Sequence, residues 1–389
     1  MLKIFKYLAK RLLLILDGFV SFCLDSNQKD GIVLIRLDTI GDFIIWLDTA
    51  KEYRRIYPNQ KITLIANVAW ADMARGLPYW DKVWPVKLRD LSWKPFYRWA
   101  LLRKVSHANF ETAIQPTFSR VFMHGDSVIR ASHATHRIGS IGDMANIKAR
   151  DKAISDRWYT QLLPASSKPM MELDRNAEFI SHLTGKDFKT SLPQWPVMAT
   201  LPKRLQPHSA YAVLFPSASW HGKQWSEQSF VEVGEQLHRL HGWQMVLCGA
   251  PSERALCQAI VDAAPTASLN LAGQTTLAEL AELIRGAQLL IANETSAVHI
   301  ATAVGTPAVC ILGGGHYGRF VPYPDHVVGI KPVVATKLMP CFNCNWQCNQ
   351  QHDPIGPVPC IGGVSVAHVL ALAQQALVSA ATGVILTKI

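Results

Sequence analysis

Several common signatures are missing from this sequence. No Lys/Arg-rich run occurs, and neither a ribonucleoprotein pattern nor a zinc-finger pattern is found. Nucleic acid is therefore not the expected partner. Near the N-terminus the uninterrupted apolar run covers only residues 12–16, far short of the ~20 that span a bilayer. Asp17 interrupts that stretch and no small-x-small cleavage site follows it, which argues against a secretory signal. A cytoplasmic location is expected, with cysteines kept reduced. No short-period repeat is evident, so a solenoid is excluded.

What is present is enough chain for two domains of ordinary size, 389 residues with an apolar fraction of 49%. The net charge is +10 and the isoelectric point about 9.2. Such a surface favours anionic partners, and without nucleic-acid signatures a phosphate-rich substrate or an acidic lipid face is the better match. In residues 1–24, Lys3, Lys6, Lys10, Asp17 and Ser21 fall on one narrow helical stripe, with Leu, Ile and Phe around the rest. An amphipathic helix over residues 1–26 is expected. Two placements are open to it: the headgroup layer of an anionic membrane, or the protein's own core.

Strands and helices then alternate. Strands are expected near 32–37, 62–66, 83–86 and 113–115, with a loop over 38–42, a helix from there to about Tyr57 and another near 120–130. Residues 164–207 carry six prolines (Pro164, Pro169, Pro193, Pro196, Pro202, Pro207) and a helix near 174–183, which places the domain joint there. The alternation restarts with strands near 211–215, 244–248, 288–292 and 308–312, and helices near 226–240, 252–263, 276–285, 296–304 and 365–381. Two Rossmann-like domains, 27–195 and 205–389, are expected, each with a parallel sheet.

Three stretches stand out at strand ends. The first is Arg36-Leu37-Asp38-Thr39-Ile40-Gly41-Asp42. The second is Ser217-Ala218-Ser219-Trp220-His221-Gly222-Lys223-Gln224-Trp225. The third is Glu294-Thr295-Ser296-Ala297-Val298-His299, where an apolar strand turns into a helix. There, the Thr295 and Ser296 hydroxyls are expected to cap free backbone N–H groups, and a helix N-terminus suits a phosphate. Lys223 offers a compact ammonium to a pyrophosphate, with Ser217 and Ser219 as hydroxyl donors on its loop. A capped helix, a first-turn aspartate and a solvated lysine are the ordinary readings of the same residues. Gly313-Gly314-Gly315 is expected to line the cleft by close backbone approach.

In this order the three stretches resemble glycosyltransferase family 9, the heptosyltransferases of lipopolysaccharide assembly. The resemblance covers residues 36–299. It implies a GT-B fold, with two Rossmann-like domains facing across a cleft, and an inverting transfer of heptose from a nucleotide-diphosphate sugar such as ADP-heptose. The acceptor would be a lipid-anchored or surface glycan at the cytoplasmic side of the inner membrane. It also implies Asp42 as catalytic base. From their positions on the same stretch, Asp38 is the runner-up, with a loop-shaping role first, and Arg36 on the strand before is expected to pair with one of the two carboxylates. Lys223, Glu294, Thr295, Ser296 and His299 would hold the donor, Glu294 standing where the best-known members carry aspartate. No catalytic metal is required. The alternatives are another nucleotide sugar, a protein acceptor, or a non-catalytic nucleotide-sugar-binding module.

Cys341, Cys344, Cys348 and Cys360 form C-x2-C-x3-C-x11-C. Four thiolates at such spacing can surround one structural zinc or iron. Disulfides are the alternative. The cluster resembles the iron-binding cysteine finger of autotransporter heptosyltransferases. Cys23, Cys248, Cys257 and Cys310 stand in apolar surroundings and are expected as buried free thiols.

Overall fold

The computed structural model describes residues 13–14, 17–18, 29–264, 266 and 268–382. They divide into two units. The first lies within Met1–Phe43, Thr49–Lys168 and Arg175–Lys189, the second within Ile44–Asp48, Pro169–Asp174 and Thr190–Ile389.

The first unit is built on strands β1 (Ile32–Arg36), β2 (Ile62–Asn67), β3 (Lys82–Val86), β4 (Thr112–Gln115), β5 (His136–Ser140) and β6 (Gln161–Leu163). They form one parallel sheet in the order β3-β2-β1-β4-β5-β6. The second unit repeats the plan with β7 (Tyr211–Phe215), β8 (Gln244–Leu247), β9 (Ser268–Asn270), β10 (Leu289–Asn293), β11 (Ala308–Ile311) and β12 (Val333–Ala335). Their order is β12-β11-β10-β7-β8-β9, again all parallel.

The central strands are fully buried runs: Ile-Val-Leu-Ile-Arg in β1, Tyr-Ala-Val-Leu-Phe in β7 and Leu-Leu-Ile-Ala-Asn in β10. Helices on both faces of a parallel sheet leave neither strand face wet, so such strands are apolar throughout rather than alternating. Pro85 sits in β3, which pairs only with β2; an edge strand tolerates the missing N–H. In the second unit Leu214, Phe230, Met245 and Ile291 form a core with Ile361 and Val369 from the C-terminal part of the chain. Val33, Ile35, Leu102, Ala113 and Val128 do the same in the first.

Each sheet grows outward from its first strand and then reverses to add strands on the other side. The reversals fall between β1 and β4 and between β7 and β10. At such a switch point the loops leaving the strand C-termini run to opposite faces and open a crevice.

The expected elements differ from the observed ones where local sequence is weakest. The helix expected near 120–130 begins as a π-helical turn, Phe122–Asp126, before Ser127–Ser132. The strands β6, β9 and β12 are three residues each and are defined by pairing, not periodicity. Asp17, expected on the polar stripe of the N-terminal helix, is buried: its carboxylate accepts from Arg98 Nε at 2.8 Å and Nη2 at 2.6 Å. Leu13, one turn earlier, is buried on the same side. At these positions the segment rests on the protein's own core, because a guanidinium there gives the carboxylate a partner. Lys3, Lys6, Lys10, Ser21 and Cys23 lie outside the described residues. Cys248, Cys257 and Cys310 are buried free thiols, as their surroundings suggest. Among the described residues, no helix is long and apolar enough to cross a membrane.

Candidate active site

The second unit gathers its polar side chains at the β7/β10 switch point. Asn293 ends β10 with no exposure. Its Oδ1 accepts from the Trp225 backbone N–H at 3.0 Å and its Nδ2 donates to the Pro216 carbonyl at 2.6 Å. One buried amide thus ties both ends of the loop after β7 to the tip of β10. The indole N–H of Trp225 donates to the Val364 carbonyl at 2.8 Å, fixing the loop to the C-terminal part of the unit. Lys223 stands in the short 3-10 turn His221–Lys223 on this loop.

The ammonium of Lys223 lies 3.5 Å from Glu294 Oε2 and 4.1 Å from the centre of the Trp346 ring. The lysine side chain is 16% exposed and that of Glu294 8%. Burial pushes the Glu294 carboxyl above its ordinary range, and the Lys223 charge draws it back. Lys223 is therefore not a solvated loop lysine. It is a largely desolvated cation, which a phosphate meets with little water to displace.

Thr295 occupies the N-cap position of the helix Ser296–Val304, but its side chain makes no capping bond, so the expectation that its hydroxyl caps the helix is corrected. The Thr295 hydroxyl and that of buried Ser217 have no hydrogen-bond partner among the described residues. These two hydroxyls, on the loops after the paired strands β7 and β10, and the N-terminus of the helix Ser296–Val304 are groups of the kind that suit an anion. Ser296 is half-buried at that N-terminus, and Ser219 is exposed on the lysine loop. His299 is 4% exposed and its Nδ1 lies 3.0 Å from the Tyr323 hydroxyl. That contact is a core bond of the helix.

Gly313-Gly314-Gly315 follows β11, but its close approach is to protein. A Cβ on Gly315 would fall 2.3 Å from the Trp346 ring, and one on Gly314 2.2 Å from Phe342. The expected ligand contact is thus taken by aromatic rings of the cysteine segment. Cys341, Cys344, Cys348 and Cys360 line one pocket together with Phe342 and Trp346, and none of the four is in a disulfide. The Gly314 N–H donates to Cys360 Sγ at 3.5 Å. Burial raises the Cys360 thiol, the Gly314 bond lowers it, and Cys341 and Cys344 raise it further. Among the described residues, no group of three or more His, Cys, Asp or Glu side chains is arranged to hold a metal ion.

In the first unit, Arg36 pairs with Asp38, Nε to Oδ2 at 2.7 Å. The Asp38 carbonyl accepts from Asn67 Nδ2 at 3.0 Å and Trp70 Nε1 at 2.9 Å. Asp42 falls in the first turn of the helix Ile40–Ile56, which starts three residues earlier than the expected loop over 38–42 would allow. Its Oδ2 accepts from the Thr39 backbone N–H at 3.1 Å and the Thr39 hydroxyl at 2.6 Å. A crevice at the β1/β4 switch point is lined by Asp38, Gln115, Thr117 and His124. Burial, and then the Arg98 charge, push His124 down to about 4, so it is neutral at pH 7 and sits 2.7 Å from the Ser92 hydroxyl.

Asn293, Trp346, Thr117 and His124 were not singled out in the sequence. Asn293 carried a signal, an amide ending an otherwise apolar buried strand. Trp346 carried a weaker one, an indole held between two cysteines.

Two doubly wound parallel sheets of this kind make up a GT-B fold, the architecture of a large class of glycosyltransferases. The match to the family model is direct: residues 99–349 match Glycosyltransferase family 9 (heptosyltransferase), and the chain belongs to that family. Among curated relatives, lipopolysaccharide heptosyltransferase 1 of Pseudomonas aeruginosa is 21% identical over 301 residues, 74% of this chain and 81% of the relative. The structure of E. coli ADP-heptose lps heptosyltransferase II superposes with a TM-score of 0.66 at 18% identity, over 90% of this chain and 99% of the other. The iron-containing dodecameric glycosyltransferase TibC from enterotoxigenic E. coli gives 0.54 at 13%, over 92% and 78%.

The clamp made by Asn293 is testable. Asn293→Ala strands the buried Trp225 N–H and the Pro216 carbonyl, and urea unfolding is expected to show a loss of about 2–3 kcal/mol. A loss below about 0.5 kcal/mol, the scale of an ordinary surface substitution, would contradict the clamp.

Proposed function

We propose that this glycosyltransferase moves heptose from ADP-heptose to a lipopolysaccharide core or related surface glycan, with inversion. The observation that carries the reading is the cradle of Lys223, Ser217 and Thr295 at the β7/β10 switch point, in a chain of family 9. The diphosphate leaving group needs positive charge and donors in a dry site. Lys223, the Ser217 and Thr295 hydroxyls and the N-terminus of Ser296–Val304 supply them. Glu294 and Ser296 would complete donor binding, Ser219 would reach it from the exposed side of the loop, and His299 would act by holding its helix. Asp42, its Oδ2 engaged by Thr39, would take the acceptor's hydroxyl proton on Oδ1. The acceptor oxygen would bond to the anomeric carbon as the bond to the diphosphate oxygen breaks, the electron pair leaving with ADP. The crevice at Asp38, Thr117 and His124 would receive the acceptor. The domains acting in this way would be residues 27–195 and 205–389. A second reading, with a protein as acceptor, is supported by the cysteine segment's resemblance to autotransporter heptosyltransferases.

Four free thiols lining one pocket match a single structural zinc or iron in number and ligand type. Cys341, Cys344, Cys348 and Cys360 would hold it, and its chemistry would be structural, fixing the segment 341–360 on the unit.

Contact with an anionic inner-membrane surface is supported by the helices Leu88–Trp93 and Pro95–His107. Phe96 is 88% and Trp93 56% exposed, beside exposed Lys94 and Arg103. Exposed aromatic rings flanked by cations suit a headgroup layer.

Three outcomes check this reading. Asp42→Ala is expected to lower heptose transfer about 100- to 10,000-fold while ADP affinity by calorimetry stays within about twofold; unchanged transfer would remove Asp42 from the chemistry. Elemental analysis should find about one zinc or iron per chain, lost with a lower melting point in Cys341→Ser; a metal-free wild type that melts like the variant would defeat the metal. Phosphatidylglycerol vesicles should sediment the protein in a salt-sensitive way, and Phe96→Glu should weaken this several-fold; equal sedimentation of both would defeat the surface.

A further inference from the structure

The cysteine segment reaches the donor cradle through one side chain. Trp346 lies between Cys344 and Cys348 in sequence, and its ring face carries the Lys223 ammonium at 4.1 Å. Much of the local backbone is committed to that placement. Asn343, Asn345 and Trp346 have φ of 65°, 50° and 59°, a left-handed region that non-glycine residues enter at a cost and keep only where the surroundings hold them. The surroundings do hold them. Asn343 N–H donates to the Gly314 carbonyl at 2.6 Å and Asn345 N–H to the Gly315 carbonyl at 3.0 Å. His316 Nε2 lies 2.6 Å from Asn345 Oδ1, and the Val358 N–H donates to the Gly222 carbonyl beside Lys223 at 3.0 Å. Gly315 leaves room for the ring where a Cβ would stand 2.3 Å from it. Trp220 and His316 flank the indole edge-on, each 6.2 Å between ring centres.

Lysine is a flexible, strongly hydrated cation, and a loop lysine would spread over many rotamers. Here Glu294 takes one side of the ammonium and the indole face another, which removes water and narrows the stem's freedom. Cation–π attraction grows as the cation is desolvated. Since the ring is delivered by the cysteine segment, the fold of that segment reaches the cradle.

We propose that Trp346 is a positioning residue for Lys223: its indole face holds the ammonium where the donor's diphosphate binds, so that the folded cysteine segment sets donor affinity. The proposal rests on Lys223 being the diphosphate ligand.

Calorimetric titration of the full chain with ADP tests it, using W346F, W346L, K223M and the double variants W346F/K223M and W346L/K223M. W346L is expected to bind ADP about tenfold more weakly, and W346F, which keeps a ring face, to lose no more than about threefold. In the K223M background neither tryptophan change should weaken binding further, because the ring acts only through the lysine. Free-thiol count and melting temperature report whether W346L keeps the segment folded; if it does not, the W346F pair carries the test alone. Losses that add to K223M, or a W346L that binds ADP like wild type, would overturn the proposal while Lys223 remains the ligand. A K223M that binds ADP like wild type would overturn both the proposal and the reading beneath it.

Discussion

One ammonium organises the second unit. Lys223 is held largely out of water between a buried carboxylate and an indole face. The lysine and its two partners come from three separate stretches: the loop after β7, the tip of β10 and the cysteine segment. A desolvated cation is costly unless it is paired. The unit meets that cost with Glu294, and the Ser217 and Thr295 hydroxyls, at the ends of the neighbouring strands β7 and β10, have no hydrogen-bond partner among the described residues. The Asn293 amide makes the arrangement rigid, since both ends of the lysine loop close on it. Pre-organised charge of this kind is what a departing diphosphate requires, because no reorganisation remains to be done when the bond breaks.

The same topology appears twice and serves two chemistries. In both sheets the strand order reverses beside the first strand, and both candidate sites stand at that reversal. The first unit spends its charged groups differently. Arg36 and Asp38 are committed to each other, and the Asp38 carbonyl to Asn67 and Trp70. This leaves Asp42, in the first helical turn, as the less occupied carboxylate of that loop. The cradle in the second unit is cationic, whereas the first unit offers a proton acceptor and a neutral imidazole.

Much of this was legible in the sequence. Long, uniformly apolar strands such as β1, β7 and β10 announce a buried parallel sheet, and the motif positions Asp42, Lys223 and Glu294-Thr295-Ser296 fall at strand ends where ligands collect. The pairing of Arg36 was foreseen without its partner being fixed, because two carboxylates lay within reach along the chain. What was not legible depends on distant contacts. Three-residue strands such as β12 have no period to read. The inward turn of Asp17 depends on Arg98, 81 positions away. The role of Gly313-Gly314-Gly315 could not be inferred without knowing that Phe342 and Trp346 return to cover it. The left-handed backbone at Asn343, Asn345 and Trp346 follows from those same contacts.

The central claim is that the β7/β10 switch point binds the donor's diphosphate through Lys223 and its neighbours. A crystal structure of the protein with ADP tests it most directly. The account predicts diphosphate oxygens within hydrogen-bond distance of Lys223 Nζ and the Thr295 hydroxyl, with Trp346 still beneath the ammonium. A diphosphate bound elsewhere, with Lys223 left on Glu294 alone, would contradict it.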